Sequence, residues 1–194
     1  MENAQAVVLF AHGSGSSRFS PRNNFVAQVL HTAGHGTLLL DLLTRAEDAR
    51  YENRFDIALL TRRLLATTHW LRNDETAKGL ALGYFGASTG AAAALQAAAE
   101  PGTNIAAVVS RGGRPDLAGE EALRKVRAPT LLLVGGHDDV VIELNRRAYA
   151  LLACEKALRI IPGATHLFEE PGTLAQVAEQ ASAWFTRHAR TPPA

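Results

Sequence analysis

A single cysteine, Cys154, in 194 residues leaves no intrachain disulfide to form. The disulfide framework of small secreted domains is therefore excluded. No apolar run approaches the ~18 residues a membrane span requires. The first run, residues 6–11, is short and follows no basic cluster, so no secretory leader is expected and the chain is expected to be cytoplasmic. An excess of one charge is also lacking. Twenty Lys and Arg against 19 Asp and Glu give +1, so neither nucleic acid nor an anionic membrane is an expected partner.

What is present suits a globular fold. Apolar residues make up 47% and charged residues 20%, and the length fits one domain with its own core. A single domain over residues 1–194 is expected, with 191–194 as a disordered tail. Six short segments, 6–11, 37–42, 80–85, 105–109, 130–134 and 158–161, are mostly continuously apolar. That is how a strand covered on both faces reads. Between them apolar residues recur at helical spacing: Phe25 to Ala33, Ile57 to Leu71, the alanine-rich 91–99, Val141 to Leu152 and Leu174 to Phe185. Pro21 near the start of the first and Gly34 at its end fit helix boundaries. The polar stretch 41–56 reads as a loop or frayed turn after the second strand. The alternation predicts an α/β fold, a doubly wound, mostly parallel six-stranded sheet flanked by helices.

The sharpest local signal is Gly86-Ala87-Ser88-Thr89-Gly90, between a strand and a helix. In a G-x-S-x-G turn the serine stands clear of the sheet on a strained backbone, and the glycines allow close approach on either side. The plain alternative is a Gly-Ser turn in which Ser88 caps the helix. A serine nucleophile needs a base and an acid after later strands, in the order Ser, Asp, His. Gly135-Gly136-His137-Asp138-Asp139 follows the fifth segment and Gly163-Ala164-Thr165-His166 the sixth. Asp138 and Asp139 compete for the acid, each with the alternative role of a turn or helix-cap residue. His166 is the candidate base.

The first strand runs into His12-Gly13-Ser14-Gly15. Its backbone offers an oxyanion donor, Ser14 first and Gly13 next, with Thr89 N–H as the second donor. His12 is expected to hold this loop. A dinucleotide fingerprint is the rival reading, but Arg18 replaces its third glycine and the helix starts too late, near Pro21.

Together these four motifs resemble the α/β-hydrolase superfamily, and within it the small dienelactone-hydrolase-like serine hydrolases. The resemblance covers about residues 6–187 and implies Asp138, rather than Asp139, as the acid. Dienelactone hydrolase itself carries a cysteine nucleophile where this chain has Ser88, and its usual eight strands are cut to six. Only about twenty residues (110–129) lie where lids are commonly inserted, so a minimal fold without a lid is expected, open to small or polar acyl groups. The implied activity is hydrolysis of a small-molecule ester or thioester through an acyl-enzyme, with no metal or cofactor. Acyl transfer by the same triad and a non-catalytic binding protein are the alternatives.

Gly13 and Arg111 are the candidate substrate-binding residues. Arg111 suits a carboxylate or phosphate, against the plainer reading of a surface arginine. Arg18 and Arg22 carry a weaker hint of the same kind. Asp116 reads as a helix cap, and His69, Trp70, Trp184 and Cys154 as packing residues.

Overall fold

The computed structural model describes residues 4–189, so the expected tail at 191–194 lies outside the described residues. Six strands, β1 (Ala6–Ala11), β2 (Gly36–Leu39), β3 (Ala81–Ala87), β4 (Ala107–Arg111), β5 (Thr130–Gly135) and β6 (Lys156–Ile161), form one sheet. Their order is β2-β1-β3-β4-β5-β6, and every neighbouring pair is parallel. The interior strands β1, β4 and β5 are buried at every position, whereas β2 and β6 at the edges are only partly covered. Burial on both faces is why the central segments lack an alternating pattern.

The helices are α1 (Pro21–Thr32), α2 (Arg45–Asp48), α3 (Ile57–Asn73), α4 (Thr89–Ala99), α5 (Glu120–Lys125), α6 (Asp139–Leu151) and α7 (Thr173–His188). α1 and α7 cover one face, where Val26, Leu30, Val177 and Phe185 pack on Val8, Phe10, Phe85 and Val109. α3, α4 and α5 and part of α6 cover the other, around Leu60, Leu64, Leu95 and Leu123. Each fully buried Leu or Phe contributes about 1.5–3 kcal/mol relative to exposure. Ala91, Ala92, Ala93, Ala94 and Leu95 are all fully buried. Small side chains let α4 lie close against the sheet beneath the third helix.

Several boundaries differ from the sequence reading. β3 and β4 run on to Ala87 and Arg111, past the last large apolar residue, because backbone pairing Ala87 with Arg111 continues the ladder. β2 stops at Leu39. The stretch 41–56 is not a plain loop: it holds α2, closed by a capping box in which Thr44 and Glu47 bond each other's backbone, and a 3-10 turn over Tyr51–Phe55.

Candidate active site

From β1 the chain crosses outward to β2, then returns to β3 on the other side of β1. The loops leaving β1 and β3 therefore part at the C-terminal edge, which is where open α/β sheets form a crevice. Ser88 stands in it, with φ 50 and ψ −121. A left-handed φ at a residue with a Cβ costs about 1–3 kcal/mol and persists only where neighbours enforce it. They do here. Ser88 N–H donates to Arg111 O (3.3 Å), and Ser88 O accepts from Ala91 N–H (3.1 Å) and Arg114 N–H (3.2 Å). Gly90 is pressed so closely on β1 that a Cβ there would stand 2.1 Å from Ala11 O.

Ser88 occupies the cap position of α4, yet its side chain makes no capping hydrogen bond. The same holds for Asp138 ahead of α6. Its carboxylate turns instead to His166, whose Nδ1–H donates to Asp138 Oδ2 at 2.6 Å. Asp138 is mostly buried in this pair, and His166 is more open. That bond fixes the tautomer and leaves Nε2 as the free ring nitrogen. Asp139, by contrast, is the exposed first residue of α6.

The two loops that carry acid and base are laced together. Gly136 N–H donates to Ile161 O (2.8 Å) and His137 N–H to Ala164 O (2.9 Å). Glu170 secures the far side of the histidine loop, accepting from Thr165 N–H (3.0 Å) and Thr165 Oγ1 (2.6 Å). These bonds hold the Glu170 carboxyl below its ordinary range.

The loop after β1 lies directly over the serine. A Cβ on Gly13 would stand 3.0 Å from Ser88 Cβ. His12 is buried and accepts from Leu42 N–H at Nε2 (3.0 Å), so its Nδ1–H serves Gly13 O (3.0 Å). It ties the loop to the chain beyond β2. Ser14 is exposed in the turn closed by Ser16 N–H to Gly13 O (3.1 Å). Thr89 opens α4, where an N–H has no acceptor within the helix. Arg18 pairs with Asp41 through its side chain and its N–H.

Arg111 is not a surface arginine. It ends β4 and is 9% exposed. The glycines after it do not make room for a ligand. A Cβ on Gly113 would stand 2.0 Å from Ser110 Oγ, and one on Gly112 would stand 3.1 Å from His166 O. They admit the protein's own neighbours, and Asn145, fully buried on α6, donates to Gly113 O (3.0 Å). Sequence reasoning missed Asn145 and Glu170, since neither belongs to a short motif. Asp116 caps nothing and pairs with Arg114 (2.7 and 2.9 Å). Trp70 is exposed, Trp184 is half-buried, and Cys154 lies beyond the end of α6 rather than on it.

Among the described residues, no three His, Cys, Asp or Glu side chains converge as metal ligands, and no helix is long and apolar enough to cross a membrane. A groove of about 1390 Å³ lies at the opposite edge of the sheet, beside Pro101, Pro129 and Cys154, and touches none of the candidate residues.

Comparison with known proteins agrees with this architecture. The chain is 56% identical to a dienelactone hydrolase from Anabaena variabilis ATCC 29413, with a TM-score of 0.93 over 96% of this chain and 88% of that one. Est1E from Butyrivibrio proteoclasticus shares the fold at 17% identity, with a TM-score of 0.79 over 95% and 88% of the two chains. A Mycobacterium tuberculosis (strain CDC 1551 / Oshkosh) protein named "Putative phosphoribosyl transferase" is 59% identical over 187 residues. That match takes in 96% of this chain but only 42% of the relative's length, so that name describes a much longer protein. The profile of the dienelactone hydrolase family matches residues 2–189, and with the six-stranded parallel sheet this places the chain in the dienelactone hydrolase family.

Proposed function

We propose that the protein hydrolyses small carboxylic esters or thioesters through an acyl-enzyme on Ser88. The observation that carries this reading is that Ser88 and Asp138 both stand at helix cap positions and neither caps. One is held in a strained turn and the other is committed to His166. A structural serine or aspartate would satisfy the helix instead.

The chemistry follows from the positions. Ser88 Oγ attacks the carbonyl carbon as His166 Nε2 takes its proton, and the carbonyl electron pair moves to oxygen. Backbone N–H groups of Ser14 and Thr89, with Gly13 beside them, are the proposed donors to that oxyanion. Asp138 stabilises the imidazolium. Collapse expels the alcohol or thiol, which takes the proton from His166. Water then attacks the Ser88 acyl ester by the same route and frees the acid. The open edge favours small acyl groups.

A fluorophosphonate probe with intact-mass detection tests the reading. One covalent adduct on the wild-type chain and none on Ser88→Ala is expected. Equal labelling of both would overturn it.

A further inference from the structure

Asn145 is fully buried on α6, two turns into the helix that Asp138 precedes. Its Nδ2 donates to Gly113 O (3.0 Å) and to Val141 O (2.8 Å). Both partners are carbonyl oxygens, so the amide turns its NH2 to them and spends both protons there. Its Oδ1 is enclosed without a hydrogen-bond partner. That enclosure is a cost, which an apolar side chain of similar shape would avoid. Stability alone therefore does not explain an amide at this position.

The bond to Gly113 continues beyond it. Gly113 C=O and Arg114 N–H belong to one peptide group, and that N–H donates to Ser88 O (3.2 Å). Ser88 C=O and Thr89 N–H belong to a second peptide group, and Thr89 N–H is a proposed oxyanion donor. No described peptide bond is cis, so each group accepts at its oxygen and donates from the opposite side. The line runs from Asn145 Nδ2–H to Gly113 O, from Arg114 N–H to Ser88 O, and out through Thr89 N–H. Hydrogen bonds in such a chain polarise one another, by about 10–30% per bond. The first peptide group has little room to drift, since a Cβ on Gly113 would stand 2.0 Å from Ser110 Oγ and 2.7 Å from Ala91 Cβ. Asn145 is also tied to the acid through the first turns of α6. Asp138 O accepts from Ile142 N–H (2.8 Å), and Val141 O is itself a partner of Asn145. One helix thus carries the acid at its cap and, two turns on, an anchor for the nucleophile turn.

We infer that Asn145 is a positioning residue that acts through these two peptide groups: it holds the nucleophile turn in register with α6 and strengthens Thr89 N–H as a donor to the oxyanion. The effect on turnover rests on the ester-hydrolase reading, but the line of hydrogen bonds does not.

The test pairs amide NMR with kinetics on the full chain carrying Asn145→Leu, which keeps the branched shape and removes the donor. The amide protons of Arg114 and Thr89 are expected to move upfield as their hydrogen bonds weaken. The amide of His137, which bonds Ala164 O on a neighbouring loop, is the reference and is expected to stay in place. With a short ester, kcat is expected to fall about tenfold and KM to stay within about twofold; loss of a whole oxyanion donor costs roughly 10²–10³. Should Asn145→Leu fail to fold, Asn145→Ala also lacks the donor and carries the same test. Unmoved Arg114 and Thr89 amides in a folded variant overturn the inference, and so does a kcat within twofold of an active wild type. A fall in kcat with the His137 amide displaced as far as the other two means general loosening of the edge, and overturns it as well. If the wild type hydrolyses no ester but Asn145→Leu still moves the Arg114 and Thr89 amides alone, the line of bonds stands and the hydrolase reading falls.

Discussion

Gly13 and Ser88 touch across the gap between two strands. A methyl group on Gly13 would stand 3.0 Å from Ser88 Cβ and 3.2 Å from Ala87 O. Neither neighbour yields easily, since Ser88 is held by three backbone hydrogen bonds. The loop after β1 must shift instead, taking the proposed oxyanion donor with it. Gly13→Ala is therefore expected to lower kcat about tenfold, with little change in KM for a small ester, and Gly13→Val to lower it further. Steady-state kinetics on both variants check this. Wild-type kcat in Gly13→Val would remove the loop from the oxyanion site.

Ser88 offers a way to separate strain from chemistry. Its φ of 50 suits glycine. Ser88→Gly is expected to abolish turnover and raise stability by about 1 kcal/mol, because relief of the strained turn exceeds the added freedom of the unfolded chain. Ser88→Ala should be equally inactive and gain no such stability. Urea denaturation of the three proteins gives the comparison. A Ser88→Gly protein no more stable than Ser88→Ala would mean that the turn stores no strain.

Asp138 and Asp139 are adjacent in sequence and differ in use. Only Asp138 meets His166, at 2.6 Å. Asp138→Asn is expected to lower kcat by roughly 10⁴, the scale seen for the matching change in a serine protease. Asp139→Asn should stay within about twofold of wild type. Similar losses in both would reverse the assignment of the acid.

Removing the buried charge at Arg111 should make the free protein more stable. Burial, and then the like charge of Arg22, push its guanidinium down to about 10, below the ordinary arginine range. The folded state therefore holds that proton less tightly than the unfolded state does. The resulting penalty is complete below about pH 10 and fades as pH rises from there toward the ordinary arginine range. Arg111→Met is expected to gain about 1–4 kcal/mol at pH 7, with the gain shrinking above pH 10. A less stable variant at neutral pH would show that the chain already compensates the charge.

The sheet and the turn at Ser88 were legible because each depends on local pattern. Continuous apolar runs marked the strands, and small residues around Ser88 marked a place where a helix starts against a strand. The order of Ser88, Asp138 and His166 was legible because parallel strands bring all their C-terminal ends to one edge. The burial of Arg111 at the end of β4 was not legible, for a physical reason. A charged residue after Val109 and Ser110 looks like a loop, but ladder pairing with Ala87 keeps it in the strand and pulls it inward. That the charge of Arg22, 89 positions earlier, bears on Arg111 leaves no local trace. The α2 turn did leave one, since Thr44 and Glu47 stand at capping-box spacing, but the surrounding charges hid it.

The lacing of the strand-end loops bears on how the protein loses its shape. Amides of Gly112, Arg114, Gly136 and His137 donate to backbone carbonyls on neighbouring segments rather than to water. These are loop residues by sequence, yet each ties together the ends of two neighbouring strands, β3 to β4, β4 to β5 or β5 to β6. In deuterium exchange they should behave as members of the central cooperative unit, slower than the exposed turns around α2. Heat inactivation would then coincide with global melting, with no earlier stage in which the active edge has frayed while the sheet remains whole.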